Sequence, residues 1–195
     1  MGSTATTPPA RPRDRILDAA TRLFYEKGIQ AVGVNRIIAE ADVAPMTLYR
    51  QFHAKDELVA ATVEDWSAQW LAWLSDQLDR RGDDPEARFA ALWDALEGWF
   101  ATADFNGSYV ENAARELRTE PGHPAQKAIT AHRRAMRQLL EDLAKMAGAH
   151  DHTDLAAQLQ MIVDGAVDGA LAGRRRSVVA SVRALAAAAL AASRA

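Results

Sequence analysis

The chain contains no cysteine among its 195 residues, which excludes disulfide scaffolds, thiolate metal sites and cysteine nucleophiles together. That absence fits a reducing compartment, and a cytoplasmic location is the expectation. Long apolar runs are missing too. None approaches the ~18 residues that a membrane-spanning helix needs, and no charged-then-apolar segment opens the chain. Glycine and proline number only 11 and 7, far below fibrous or wholly disordered compositions. Charge of one sign is also scarce. With 23 Lys and Arg against 26 Asp and Glu the formal charge is −3, which by itself argues against a nucleic-acid partner. β-Branched aliphatics are sparse as well, at 11 Val and 6 Ile.

Alanine, by contrast, fills 42 positions. Ala is the best helix former and strands favour β-branched residues, so the composition predicts an all-α fold. All 13 aromatic residues lie between Phe24 and Tyr109. An aromatic-rich middle and an Ala-rich end imply two kinds of helix packing, one around bulky groups and one at close approach. Arg outnumbers Lys by 19 to 4, but the arginines are scattered and form no phosphate-binding cluster.

Residues 1–12 show no periodicity and read as a disordered arm. From Arg13 a helical period takes over, with Ile16, Leu17, Ala20, Leu23 and Phe24 on one face, and Gly28 stands where a left-handed C-cap is wanted. Two short helices follow. Residues 35–41 turn Ile37, Ile38 and Ala41 inward; residues 45–52 open on Pro45, a favoured first helical residue, and turn Leu48 and Phe52 inward. Helices this short must pack on each other and on the first. Joined by Asp42-Val43-Ala44, they form a helix-turn-helix pattern.

A fourth helix runs from about 54 to 80 with Trp66, Trp70, Trp73 and Leu74 on one face. Breaks at Gly82-Asp83-Asp84-Pro85, Phe105-Asn106-Gly107-Ser108 and Pro121-Gly122-His123-Pro124 delimit helices over 85–100, 109–118 and 125–146. Thr153 or Asp154 caps the next, which carries Leu155, Leu159, Ile162 and Ala166. After Gly173 comes a last, Ala-rich helix. The expected architecture is about nine helices and no strand: an arm over 1–12, a helix-turn-helix head over 13–58 and a helical body over 59–195.

In a helix-turn-helix the second helix enters the major groove, with residues near its start reaching base edges and phosphates. Here that helix offers Pro45, Met46 and Thr47, then Tyr49, Arg50 and Gln51. Thr47 can donate to phosphate and touch a thymine methyl, Gln51 can pair with adenine, and Arg50 can take guanine or phosphate. Tyr49 and Lys55 suit positioning on the backbone. Between Val43 and Lys55 there is no acid. The charge splits accordingly, +3 through Lys55 and −6 beyond it.

This stretch resembles the TetR family of transcriptional repressors. The matching residues are Ile16-Leu17-Asp18-Ala19-Ala20, Leu23-Phe24, Gly28, Thr47-Leu48-Tyr49, Phe52, Lys55 and Leu58. The resemblance implies DNA contacts at Asn35, Arg36, Pro45, Met46, Thr47, Tyr49, Arg50 and Gln51, with Lys55 as phosphate anchor. It also implies a homodimer on a palindromic operator and a mostly apolar effector pocket among the later helices. The chain departs from the family at Gly33, Ala44 and Ala54, where Ser or Thr normally caps a helix; an Ala cap costs roughly 1 kcal/mol. Asp42 replaces the usual turn Gly and needs φ > 0, which Asp tolerates better than most residues.

The aromatic stripe (Trp66, Trp70, Trp73, Trp93, Trp99, Phe100, Phe105 and Tyr109), with Asn112, is the expected lining of that pocket; ordinary core packing is the alternative. Asp164 and Asp168, at i and i+4, suit surface pairs with Arg better than a cationic or polyol ligand. Gly165 and Gly169 permit close helix approach. With Leu159, Ile162, Ala166, Val182, Leu185 and Ala189 they point to a four-helix dimer interface; an intramolecular Ala-rich pair is the alternative. His150, His152 and Asp154 lack metal-site spacing, so no metal is expected. Nor is a cofactor or an enzymatic activity, since neither a phosphate loop nor a nucleophile beside a base appears. The expected function is ligand-responsive repression by a soluble dimer, and the alternative is a helical small-molecule binder that has lost DNA binding.

Overall fold

The computed structural model describes residues 11–194. Nine α-helices, and no strand, occur among the described residues: α1 (Pro12–Lys27), α2 (Val34–Ala41), α3 (Pro45–Gln51), α4 (Lys55–Asp79), α5 (Pro85–Phe100), α6 (Tyr109–Glu116), α7 (Ala125–Met146), α8 (His152–Leu171) and α9 (Arg175–Ser193). The arm expected over 1–12 lies outside the described residues as far as residue 10, and Pro12 already opens α1.

Several local expectations change. Gly28 has φ 85 and ψ 153, a positive φ but not a left-handed helical cap. The chain leaves α1 extended because the next two amides point at a carboxylate from α6. A Cβ on Gly28 would lie 3.2 Å from that group, the side chain of Glu116. Ile38 is half-buried, whereas Ile37 and Ala41 are inward. Asp42 does take the left-handed turn, at φ 49. The helices beginning after Ala44 and Ala54 have no side-chain cap. Just before the second, Glu57 Oε2 accepts from the His53 backbone N–H at 2.9 Å, which fixes the entry of the chain but leaves the first-turn amides of α4 without a side-chain cap. The cap of α8 is Asp151, accepting from Asp154 N at 2.9 Å, and the helix begins earlier than Thr153 or Asp154 would have it.

Burial falls into two cores. One joins α1, α2, α3 and the first half of α4, and it draws in Tyr109, Val110, Ala113, Leu117 and Ile129 from α6 and α7. Packing therefore runs across the expected boundary after residue 58. The other core gathers the rest of α4 with α5, α7, α8 and α9.

The residues expected at a dimer interface divide in the same way. Leu159 and Ala166 are fully buried in their own chain, and Val182 and Gly169 lie inside the α8–α9 contact. A Cβ on Gly169 would come within 2.8 Å of Val178 Cγ2. Gly169 thus brings α8 against α9 within the chain, and Leu159, Ala166, Val182 and Gly169 are corrected from an intermolecular face to the subunit's own core. Ile162 and Ala189 are half-buried, whereas Gly165 and Leu185 face outward. Beside them Met161 is 66% exposed and Leu185 57%, unusually open for large apolar side chains.

Candidate nucleic-acid interface and effector cavity

Leu48 and Phe52 hold α3 against the head core, and this rotates its other face to solvent. Pro45, Met46, Tyr49, Arg50 and Gln51 are exposed and Thr47 is half-buried; Asn35 and Arg36 are exposed at the start of α2. The two helices therefore present one continuous polar surface with two arginines, neither in an ion pair among the described residues. Lys55 differs from expectation. Its Nζ donates to the Ile29 carbonyl at 2.6 Å and lies 5.8 Å from the Phe24 ring centre, so in this state it ties the head together.

The head loop is also held from the body. Glu116, the last residue of α6, accepts from Ile29 N at 2.9 Å and from Gln30 N at 3.0 Å. Tyr25 completes the seam: its hydroxyl donates to the Gly107 carbonyl at 2.9 Å and accepts from Asn106 N at 2.7 Å.

A cavity of ≈ 40 Å³ lies among α4, α5, α6, α7 and α8. Of the aromatic stripe only Trp70 and Trp99 line it. Trp66 stacks on Trp70 at 5.5 Å, Trp73 sits 4.8 Å from Trp70, and Phe100 and Phe105 back Trp99 at 5.6 and 5.0 Å. Three expected lining residues are elsewhere. Trp93 faces a separate α5–α9 groove, because its side of α5 is turned from α4. Tyr109 is buried against the head core, its hydroxyl 2.8 Å from Thr62 Oγ1. Asn112 Nδ2 donates to the Asn106 carbonyl at 2.8 Å and so braces the loop before α6.

The cavity's polar wall was not legible in sequence. Arg133 donates to both oxygens of Glu111, at 2.9 and 2.5 Å, which holds the Glu111 carboxyl below its ordinary range. His132 Nδ1 is 2.9 Å from Ser67 Oγ, both side chains being buried. Asp164 accepts from Gln160 Nε2 at 2.9 Å, and burial pushes its carboxyl above the usual value. The surface pair expected for both α8 aspartates exists only for Asp168, which meets Arg115 at 3.0 Å. Asp164 faces the cavity instead.

Burial also lowers the pKa of His132, chiefly by desolvation. The unfolded chain then binds the proton more readily, so folded stability is present above the unfolded His value of about 6.5 and is lost as pH falls through it. Urea midpoints measured from pH 7.5 down to 5.5 should fall, and His132→Asn should flatten that slope. An unchanged slope would assign the acid sensitivity elsewhere. Among the described residues no group of His and carboxylates could hold a metal, and no helix is long and apolar enough to cross a membrane.

Comparison with known proteins bears on the head and on the whole fold. Residues 16–62 match the family model described as bacterial regulatory proteins, tetR family. The regulator LmrA of Bacillus subtilis is 31% identical over 112 residues, 56% of this chain. The match spans 60% of LmrA's own length. The crystal structure of SCO4454, a TetR-family regulator of Streptomyces coelicolor, superposes with a TM-score of 0.83 at 28% identity, covering 94% of this chain and 96% of that one. At 21% identity and TM-score 0.75, covering 94% and 99%, the regulator CifR shares the fold; that structure is of a cysteine mutant complexed with 26-bp double-strand operator DNA.

Proposed function

Because this chain belongs to the TetR family of DNA-binding transcriptional regulators, we propose that it acts in the cytoplasm as a homodimeric repressor, gripping a palindromic operator and released by a small effector. The observation that carries the reading is the outward face of α3, where Met46, Tyr49, Arg50 and Gln51 stand clear of the core that Leu48 and Phe52 anchor. Asn35, Arg36, Pro45 and Thr47 extend this surface, and a dimer presents it twice to half-sites a whole number of helical turns apart. The division of labour is a head over 13–58 and an effector-binding, dimerising body over 59–195. Occupying the operator suffices for repression.

Effector response is supported by the cavity and by what surrounds it. At ≈ 40 Å³ it holds no more than a few waters, whereas small-molecule sites occupy about 300 Å³ or more. An effector must therefore select a body whose helices stand further apart, and only such unequal affinity shifts an equilibrium. α6 touches both ends of the route: Glu111 lines the cavity and Glu116 holds the head loop. α4 runs unbroken from Lys55, in the head, to Trp70 at the cavity.

Selection of bound duplexes from a random pool tests the reading. A two-fold symmetric consensus is expected, and Tyr49→Ala should weaken binding about 10-fold or more, since a phosphate or sugar contact is lost in each of two heads. Binding without sequence preference, or unaffected by Tyr49→Ala, would instead favour a helical binder whose head no longer reads DNA.

A further inference from the structure

The cavity's charges do not cancel. Arg133 gives Nε and Nη2 to Glu111, and His132 meets the Ser67 hydroxyl with its proton disfavoured by burial; Asp168, outside the cavity lining, pairs with Arg115. Asp164 accepts from the Gln160 amide alone, forms no ion pair among the described residues, and stands at the solvent-exposed edge of the cavity with Arg133 as its neighbouring positive charge. The remaining walls supply no donor of positive charge: Trp70, Trp99, Leu74, Leu96, Met136 and Val163. Indole faces attract cations through their quadrupole and repel anions, and Trp70 lies within an array of four indoles that includes Trp66, Trp73 and Trp99. An apolar body alone would displace water from Asp164 without supplying a counter-charge, and an anion would meet two carboxylates and an arginine that already binds one of them.

We infer that the effector is an organic cation with an aromatic or bulky aliphatic body, its charge set against Asp164 and its body against Trp70 and Trp99. The inference rests on the reading that this cavity takes an effector. In the occupied protein α8 stands away from α4 and α5, with the ligand replacing the closed indole contacts. The Asp164 carboxylate then exchanges water for a counter-ion in direct contact, and Gln160 remains to orient it. Cationic charge gives selectivity here because the same apolar wall accepts any hydrocarbon of the right size, whereas only a cation also satisfies Asp164.

Phenyltrimethylammonium and tert-butylbenzene share one shape and differ by a charged nitrogen in place of a carbon. Their binding to the full-length protein, read by calorimetry, tests the inference directly. The cation should bind at least as tightly as the hydrocarbon despite its stronger hydration. Asp164→Asn should weaken the cation about ten-fold, one ion-pair and cation–π increment, and leave the hydrocarbon within about two-fold. Arg133→Gln, which removes a neighbouring positive charge, should tighten the cation. Binding of the hydrocarbon alone, a uniform effect of Asp164→Asn on both probes, or binding of neither overturns the inference. Operator retention measured alongside separates the two readings. If the hydrocarbon alone binds and releases DNA, effector response stands and the cation class falls; if the cation binds as stated but DNA stays bound, the class stands and effector release falls.

Discussion

Leu185→Glu is expected to yield a monomer that binds operator DNA about 10²–10⁴-fold more weakly, the range by which a second tethered module raises avidity. Leu185 and Met161 are the most open large apolar side chains of α9 and α8, and nothing in their own chain covers them. A two-fold contact through this face would set Leu185 near its symmetry mate, so the substitution buries two like charges that have no partner. Its effect inside one subunit should be small, because the residue is 57% exposed and touches solvent in the monomer. Sedimentation and operator titration measured together make the case. A dimer that survives Leu185→Glu places the interface on another surface.

The second large effect falls on Glu116. Glu116→Ala leaves the amides of Ile29 and Gln30 without their acceptor, two hydrogen bonds to a charged group that join residues 86 and 87 positions apart. Each such bond is worth about 1.5–3 kcal/mol at most. Partial exposure here brings the expected total to about 1–3 kcal/mol. The loss should be local first: amide hydrogen exchange at Ile29 and Gln30 should accelerate before the body loosens. Glu116→Gln keeps an acceptor but brings its own N–H group and no charge, so it should recover only part of the protection. Operator affinity should fall with it, since a head free to tilt loses the fixed spacing that a palindrome requires. Unchanged exchange at both amides would show that the loop is held by Lys55 and the head core alone.

The head was legible because its information is local. The turn at Asp42, the buried pair Leu48 and Phe52, and the exposed face of α3 all follow from spacing within 20 residues. Helix existence was legible too, since each apolar stripe has one period. The cavity was not. Its polar wall is assembled from Glu111, His132, Arg133 and Asp164, on three helices, and no spacing in the chain announces that they converge. Trp93 shows the opposite case: with Phe89, four residues before it, it lines the α5–α9 groove, whereas Trp99, about 120° away around the helix, lines the cavity. Of the two stripe glycines, Gly165 and Gly169, only Gly169 meets a neighbouring helix among the described residues, and the spacing carried no information on whether that helix belongs to the same chain. A Cβ on Gly169 would lie 2.8 Å from Val178, so that approach is made within the chain, whereas Gly165 faces outward.

The placement of the indoles has an optical consequence. All five tryptophans stand in α4 and α5, three of them among the rings around Trp70, while the head from Pro12 to Gln51 has none. Tryptophan emission from this protein therefore originates wholly in α4 and α5. The missing cysteines make the complement available, because one introduced at exposed His53 would be the sole site for a thiol-reactive acceptor dye. Energy transfer from the indoles, excited selectively on the red edge beyond tyrosine absorption, to that dye would then measure the tilt of the head against the body, with the unmodified chain contributing neither a competing indole in the head nor a second labelling site.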